Sequence, residues 1–93
     1  MDIHKALEIA ETEEKDLIAI SAGETSNWFK FNMILKKSKE GLGNGCSLAV
    51  NKKTGKCEWK PVFVNNDDDY NYGFIKIYDE DALDDIRNLK SSQ

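Results

Sequence analysis

The residues of this sequence best suited to chemistry are two cysteines, one histidine, three closely spaced glycines and a run of acids. A cysteine nucleophile needs an activating partner that stabilises its thiolate. The sole histidine, His4, lies at the start of the first helical segment. It reads there as an exposed or half-packed residue, remote in sequence from both Cys46 and Cys57. Gly41, Gly43 and Gly45 suggest a phosphate cradle, but no Lys-Ser/Thr pair follows them and the next segment reads as a strand rather than a helix. They read instead as a bent connection that needs positive φ. The run NNDDDYNYG places Asp67, Asp69 and Asn71 at the alternate spacing of a calcium loop. The sixth position is then Tyr72 rather than glycine and the twelfth Tyr78 rather than glutamate, so the EF-hand pattern fails. No catalytic residue, metal or cofactor is expected.

The elements that would carry these residues are those of a small α+β domain. Asp2 is placed to cap a helix over about residues 3–14, with Ile3, Ala6, Leu7 and Ala10 at helical spacing. The apolar, β-branched run from Asp16 to Ala22 predicts a strand, and Gly23 to Asn27 a turn. From Trp28 to Lys36 the residues alternate. Phe29, Phe31, Met33 and Leu35 are assigned to the core face, and Trp28, Lys30, Asn32 and Lys36 to the other. Aromatics beside Lys30 and Lys36 also suit single-stranded nucleic acid, but Phe29 and Phe31 read as core.

Cys46 to Trp59 reads as a β-hairpin turning at Lys52-Lys53-Thr54-Gly55, in a register that pairs Asn51 with Lys56, Val50 with Cys57, Leu48 with Trp59 and Cys46 with Pro61. The two sulfurs then lie about four residues apart along the strands, roughly 13 Å. A disulfide needs Cα atoms within about 7 Å. Both cysteines are therefore read as buried, reduced thiols, as a cytosolic protein would hold them. Pro61 marks the end of the returning strand or a sheet edge. Phe74 to Tyr78 predicts a short last strand or an extended segment, and Asp79 or Asp81 the cap of a helix with Leu83, Ile86 and Leu89 inward. The expected fold is one α+β domain over residues 1–93: an N-terminal helix on a four- or five-stranded, mainly antiparallel meander, closed by a short C-terminal helix.

The net charge of -4 hides a segregation. Residues 1–29 hold seven acids and two lysines, residues 30–60 eight lysines and two glutamates, and residues 61–93 eight acids and three bases. Two helices on one face of the sheet would merge the acidic blocks into one surface. Such a surface repels nucleic acid and suits a basic protein. Apolar runs are far shorter than the ~20 residues that span a bilayer, and the start of the sequence lacks a secretion pattern, so the expected location is the cytoplasm, with no membrane partner.

The succession ALEIAE, DLIAIS, Trp28-Phe29, Gly43-Asn44-Gly45 and SLAVNKKTGKCEW resembles the small immunity proteins of bacterial polymorphic toxin systems, in particular the thirty-fifth numbered immunity family, over about residues 5–60. The resemblance implies a non-enzymatic protein that neutralises a cognate toxin domain by stoichiometric binding. Charge and exposure, rather than the family pattern, nominate the contacts: Asp67, Asp68, Asp69, Tyr70 and Tyr72, with Asp81, Asp84 and Asp85 behind them. The rival expectation is a general interaction or regulatory module that forms a homodimer through the exposed side of the hairpin and buries Trp59.

Overall fold

A computed structural model describes residues 1–43, 45–61 and 75–91. Helix α1 (Ile3–Glu13) starts where the Asp2 carboxylate accepts the Lys5 N–H at 3.0 Å, and it buries Ile3, Ala6, Leu7 and Ala10 as one stripe. Strands β1 (Leu17–Glu24), β2 (Trp28–Leu35), β3 (Cys46–Asn51), β4 (Cys57–Pro61) and β5 (Lys76–Tyr78) precede helix α2 (Glu80–Ser91). The five strands form one antiparallel sheet in the order β4-β3-β2-β1-β5. The α+β fold is as expected. β1 to β4 are the meander, and β5 joins its far edge beside β1.

One face of the sheet carries both helices. Phe29, Phe31, Met33, Leu48, Val50, Leu17, Ala19 and Ala22 close a core there with the α1 stripe and Leu83 of α2. Full burial of a side chain such as Phe31 contributes roughly 1.5–3 kcal/mol. The hairpin register is the expected one at all four pairs. Asn51 N–H donates to the Lys56 carbonyl, and Val50 faces Cys57, Leu48 faces Trp59 and Cys46 faces Pro61. Its turn is set by Asn51, whose side-chain oxygen accepts the N–H groups of Lys53 and Thr54 at 2.8 and 3.0 Å, and by Gly55 at φ 75°.

The elements differ from the sequence expectation in several particulars. β1 runs to Glu24, beyond Ala22, because the turn is tightened by Thr25: its N–H donates to the Trp28 carbonyl, and its hydroxyl oxygen accepts the Trp28 N–H. Leu35, assigned to the core, is 37% exposed at the strand's end, and Lys30, assigned to the second face, is 2% exposed there. Cys46 and Cys57 are half-buried thiols outside any disulfide rather than buried ones: Cys57 is on β4, an edge strand with no neighbour on its outer side among the described residues, and Cys46 is at the start of β3. Phe74 lies outside the described residues, and the last strand spans Lys76–Tyr78.

Gly55, like Gly43 and Gly45, holds a positive φ that disfavours a side chain, whereas Gly41 has no such φ and a Cβ there meets nothing within 4 Å. Gly55→Ala is expected to destabilise by about 1–2 kcal/mol, and Gly41→Ala to leave stability unchanged or slightly raised. Urea unfolding midpoints of the two variants check this.

Candidate functional site

The helices are positioned by charge as well as by apolar packing. α2 begins where the Asp79 carboxylate accepts the Ala82 N–H at 2.8 Å, and Glu80 and Asp81 occupy its first turn, where the helix dipole favours acids. Leu83 is fully buried and Ile86 packs partly against the core. Arg87, on the same side of the helix, reaches α1. Its Nε donates to Glu11 Oε1 at 3.0 Å, one terminal nitrogen donates to Glu11 Oε2 at 2.6 Å and to the Ala19 carbonyl at 2.6 Å, and the other donates to Asp84 at 2.7 Å. Glu11 Oε2 also accepts the Ala19 N–H at 3.0 Å. The Glu11 bonds, more than the surrounding charge, push the Arg87 guanidinium above its ordinary pKa, although burial opposes them.

The location of this ion pair follows from the sheet. A bulge at Ile20 interrupts the β1–β2 register, and β5 covers β1 only from Ala22 to Glu24. At Ala19, just before the bulge, the carboxylate and guanidinium take the places of a neighbouring strand's acceptor and donor.

Between the helices, His4, Leu7, Glu8, Glu11 and Thr12 of α1 and Ile86 and Arg87 of α2 line an open groove of about 330 Å³. Leu7 and Ile86 give it an apolar part, while His4, Glu8 and Thr12 give it polar walls. Around it the exposed side chains are largely acidic: Glu8 and Glu13 on α1, and Glu80, Asp81, Asp84 and Asp85 on α2. This arrangement has the charge and shape to hold a basic side chain with its aliphatic stem against apolar surface.

Of the nominated contacts, Asp81, Asp84 and Asp85 are brought together on the exposed side of α2, and Asp84 is tied to Arg87. Asp67, Asp68, Asp69, Tyr70 and Tyr72 lie outside the described residues. Glu8, Glu11 and Arg87 were not singled out as site residues. The available signal was that Arg87 is the only arginine among 13 basic residues, the one side chain able to bridge carboxylates with a planar fork.

A second network ties the hairpin turn, through the end of β1, to the end of β5. Glu24 accepts from Lys52 Nζ at 2.7 Å and from the Tyr78 hydroxyl at 3.3 Å. Burial first, then the charge of Glu24 and the hydrogen bond to it, raises the Tyr78 hydroxyl above its ordinary 10.0. Burial, with Glu13 and Glu14 adding, raises the Cys57 thiol above 9.0, away from thiolate chemistry at neutral pH. Among the described residues, no group of three or more His, Cys, Asp or Glu side chains is placed to hold a metal ion, and no helix is long and apolar enough to cross a membrane. Compared with known proteins, the chain matches no family model, no curated protein and no solved structure.

Removing the fork leaves Glu11 and the Ala19 carbonyl without their donor. Arg87→Ala is expected to cost about 2–3 kcal/mol, and Arg87→Lys to recover less than half of it, because an ammonium cannot span the same acceptors; denaturant unfolding of both variants checks this. The raised thiol and phenol make a second expectation. Both groups are held protonated in the fold, so their contribution to stability is complete below pH 9.0 and falls as the pH rises through their folded values. Unfolding free energy measured from pH 7 to 11 should decline at the alkaline end, and Tyr78→Phe should flatten the upper part of that decline.

Proposed function

We propose that the protein is a non-enzymatic inhibitor that binds a basic protein domain through the acidic surface of its two helices. The observation that carries this reading is the segregation of charge by fold. α1 and α2 share one face of the sheet, and Arg87, the one described base of α2, is turned inward to Glu11. Among the described side chains of α2, those exposed are then the acids Glu80, Asp81, Asp84 and Asp85 and the neutral Asn88. Lys36, Lys37, Lys39, Lys53 and Lys56 are exposed on the loops between strands instead. A one-sign surface beside a groove raises the encounter rate with an oppositely charged partner and disfavours like-charged ones.

The similarity of residues 5–60 to small immunity proteins supplies the partner class: a toxin domain, neutralised one to one. Asp81 and Asp85 are the preferred contacts on α2, because Asp84 also holds Arg87. The acidic run Asp67 to Asp69, with Tyr70 and Tyr72, remains part of the proposed contact set on charge and composition.

The experiment begins with the gene neighbourhood, where a larger protein ending in a small basic domain is expected, and proceeds to co-expression. The chain should rescue cells from that domain, and Asp81→Lys/Asp85→Lys should weaken binding at least tenfold at low salt and less at high salt, by calorimetry. No rescue, or unchanged affinity in the double variant with the fold intact, would overturn the reading.

A further inference from the structure

The two edges of the sheet are finished differently. On the β1 side the exposed edge is closed by β5, only three residues long, and then by Glu11 and Arg87 at Ala19. On the other side β4 is the terminal strand, and nothing among the described residues pairs with its outer edge. An unpaired edge of this length is a template for another strand unless something blocks it.

Which groups it offers follows from the hairpin. The Lys56 carbonyl accepts from Asn51 and the Lys60 carbonyl accepts from the Ser47 hydroxyl, so residues 56, 58 and 60 direct their backbone groups toward β3. By alternation Cys57, Trp59 and Pro61 direct theirs outward. Trp59 is 40% exposed, more than a large aromatic on the core side of a sheet requires.

We infer that β4 pairs with β4 of a second copy of this chain, antiparallel about a twofold axis at Trp59. In that register Trp59 exchanges both backbone hydrogen bonds with its counterpart. Cys57 N–H meets the Pro61 carbonyl of the other copy, and Pro61, which has no N–H, terminates the ladder. Glu58 falls opposite Lys60 and Lys60 opposite Glu58, both on the sheet face away from the helices, so the charges are self-complementary. Lys60, whose Nζ lies 4.6 Å from the centroid of the Trp28 ring, has the stem length to turn to that carboxylate. A register shifted by two residues breaks both charge pairs, so the strand specifies its own alignment. The occupant is a second copy rather than an unrelated strand because complementarity is reciprocal only under the twofold operation.

The test is sedimentation equilibrium of the full chain, with circular dichroism confirming that each variant is folded. The wild type should dimerise in the micromolar to high-micromolar range. Glu58→Lys and Lys60→Glu each place like charges opposite one another twice and should weaken dimerisation by about tenfold. The double variant Glu58→Lys/Lys60→Glu restores opposite charges and should dimerise like the wild type. A wild type that stays monomeric at several hundred micromolar overturns the proposal, as do single variants that dimerise unchanged or a double variant weaker than both. Should the variants fail to fold, a concentration-dependent blue shift of wild-type tryptophan emission, absent in Trp59→Phe, supports it, and no shift overturns it.

Discussion

The fold depends on the contact of Glu11 and Arg87 at the backbone of Ala19. β1 is the last long strand on its side of the sheet, yet β5 covers only its last residues, and the bulge at Ile20 shifts its register. An uncovered, half-buried N–H and carbonyl would each cost about 1–3 kcal/mol if they found no partner. Glu11 and Arg87 answer both, one from each helix. The same bonds fix α2 beside α1, so the position of the C-terminal helix and the closure of the sheet edge are one constraint. With side-chain exposures near one-fifth for both partners, the pair escapes most of the screening that makes a surface ion pair worth little.

That constraint also decides the electrostatics of the surface. α2 carries four acids in its first six residues, and a helix with such a face would normally be balanced by bases on its own exposed side. Arg87 bonds Asp84 on α2, but it also donates inward to Glu11 and to the Ala19 carbonyl. The described outer side of α2 therefore presents Glu80, Asp81, Asp84 and Asp85, while Lys36, Lys37, Lys39, Lys53 and Lys56 are exposed on the β2–β3 connection and the hairpin turn. Lys52, also on the hairpin turn, is drawn onto Glu24 and lies 4.9 Å from the Phe29 ring centroid, where it neutralises an acid at the strand end instead of adding to the basic side.

How much of this was legible in the sequence follows from the range of each interaction. The hairpin was readable to the residue because Asn51, Thr54 and Gly55 set the turn, and a turn sets its register. The α1 stripe and the Phe29–Phe31–Met33 face were readable because periodicity is a local signal. Leu35 and Lys30 obeyed the alternation but not the burial it implied, since burial is decided by what lies over a strand: Leu35 is at its end, and Lys30 is at the centre of the second face beside Ser47 and Ala49. The Glu11–Arg87 pair, joining residues far apart in sequence, had no periodic trace. Of the nominated site, Asp81 and Asp85 could be assigned to an outer helical face from spacing to Leu83 and Ile86. Which of the acids would be tied down, as Asp84 is, could not.

The two proposed surfaces are compatible because the sheet keeps them apart. α2 lies over the β1–β5 end, whereas β4 is the opposite edge, four strands from β5. Pairing about an axis perpendicular to the sheet would place the helices of both copies on the same side of a continuous ten-stranded sheet. At ~4.8 Å per strand the two acidic helix surfaces would then stand roughly 40 Å apart, too far to repel appreciably at physiological salt. Neither surface would cover the other, so self-association need not compete with binding of a basic domain. It would instead present two equivalent sites facing one way, and any target that is itself dimeric would meet them with the gain in avidity that such spacing permits.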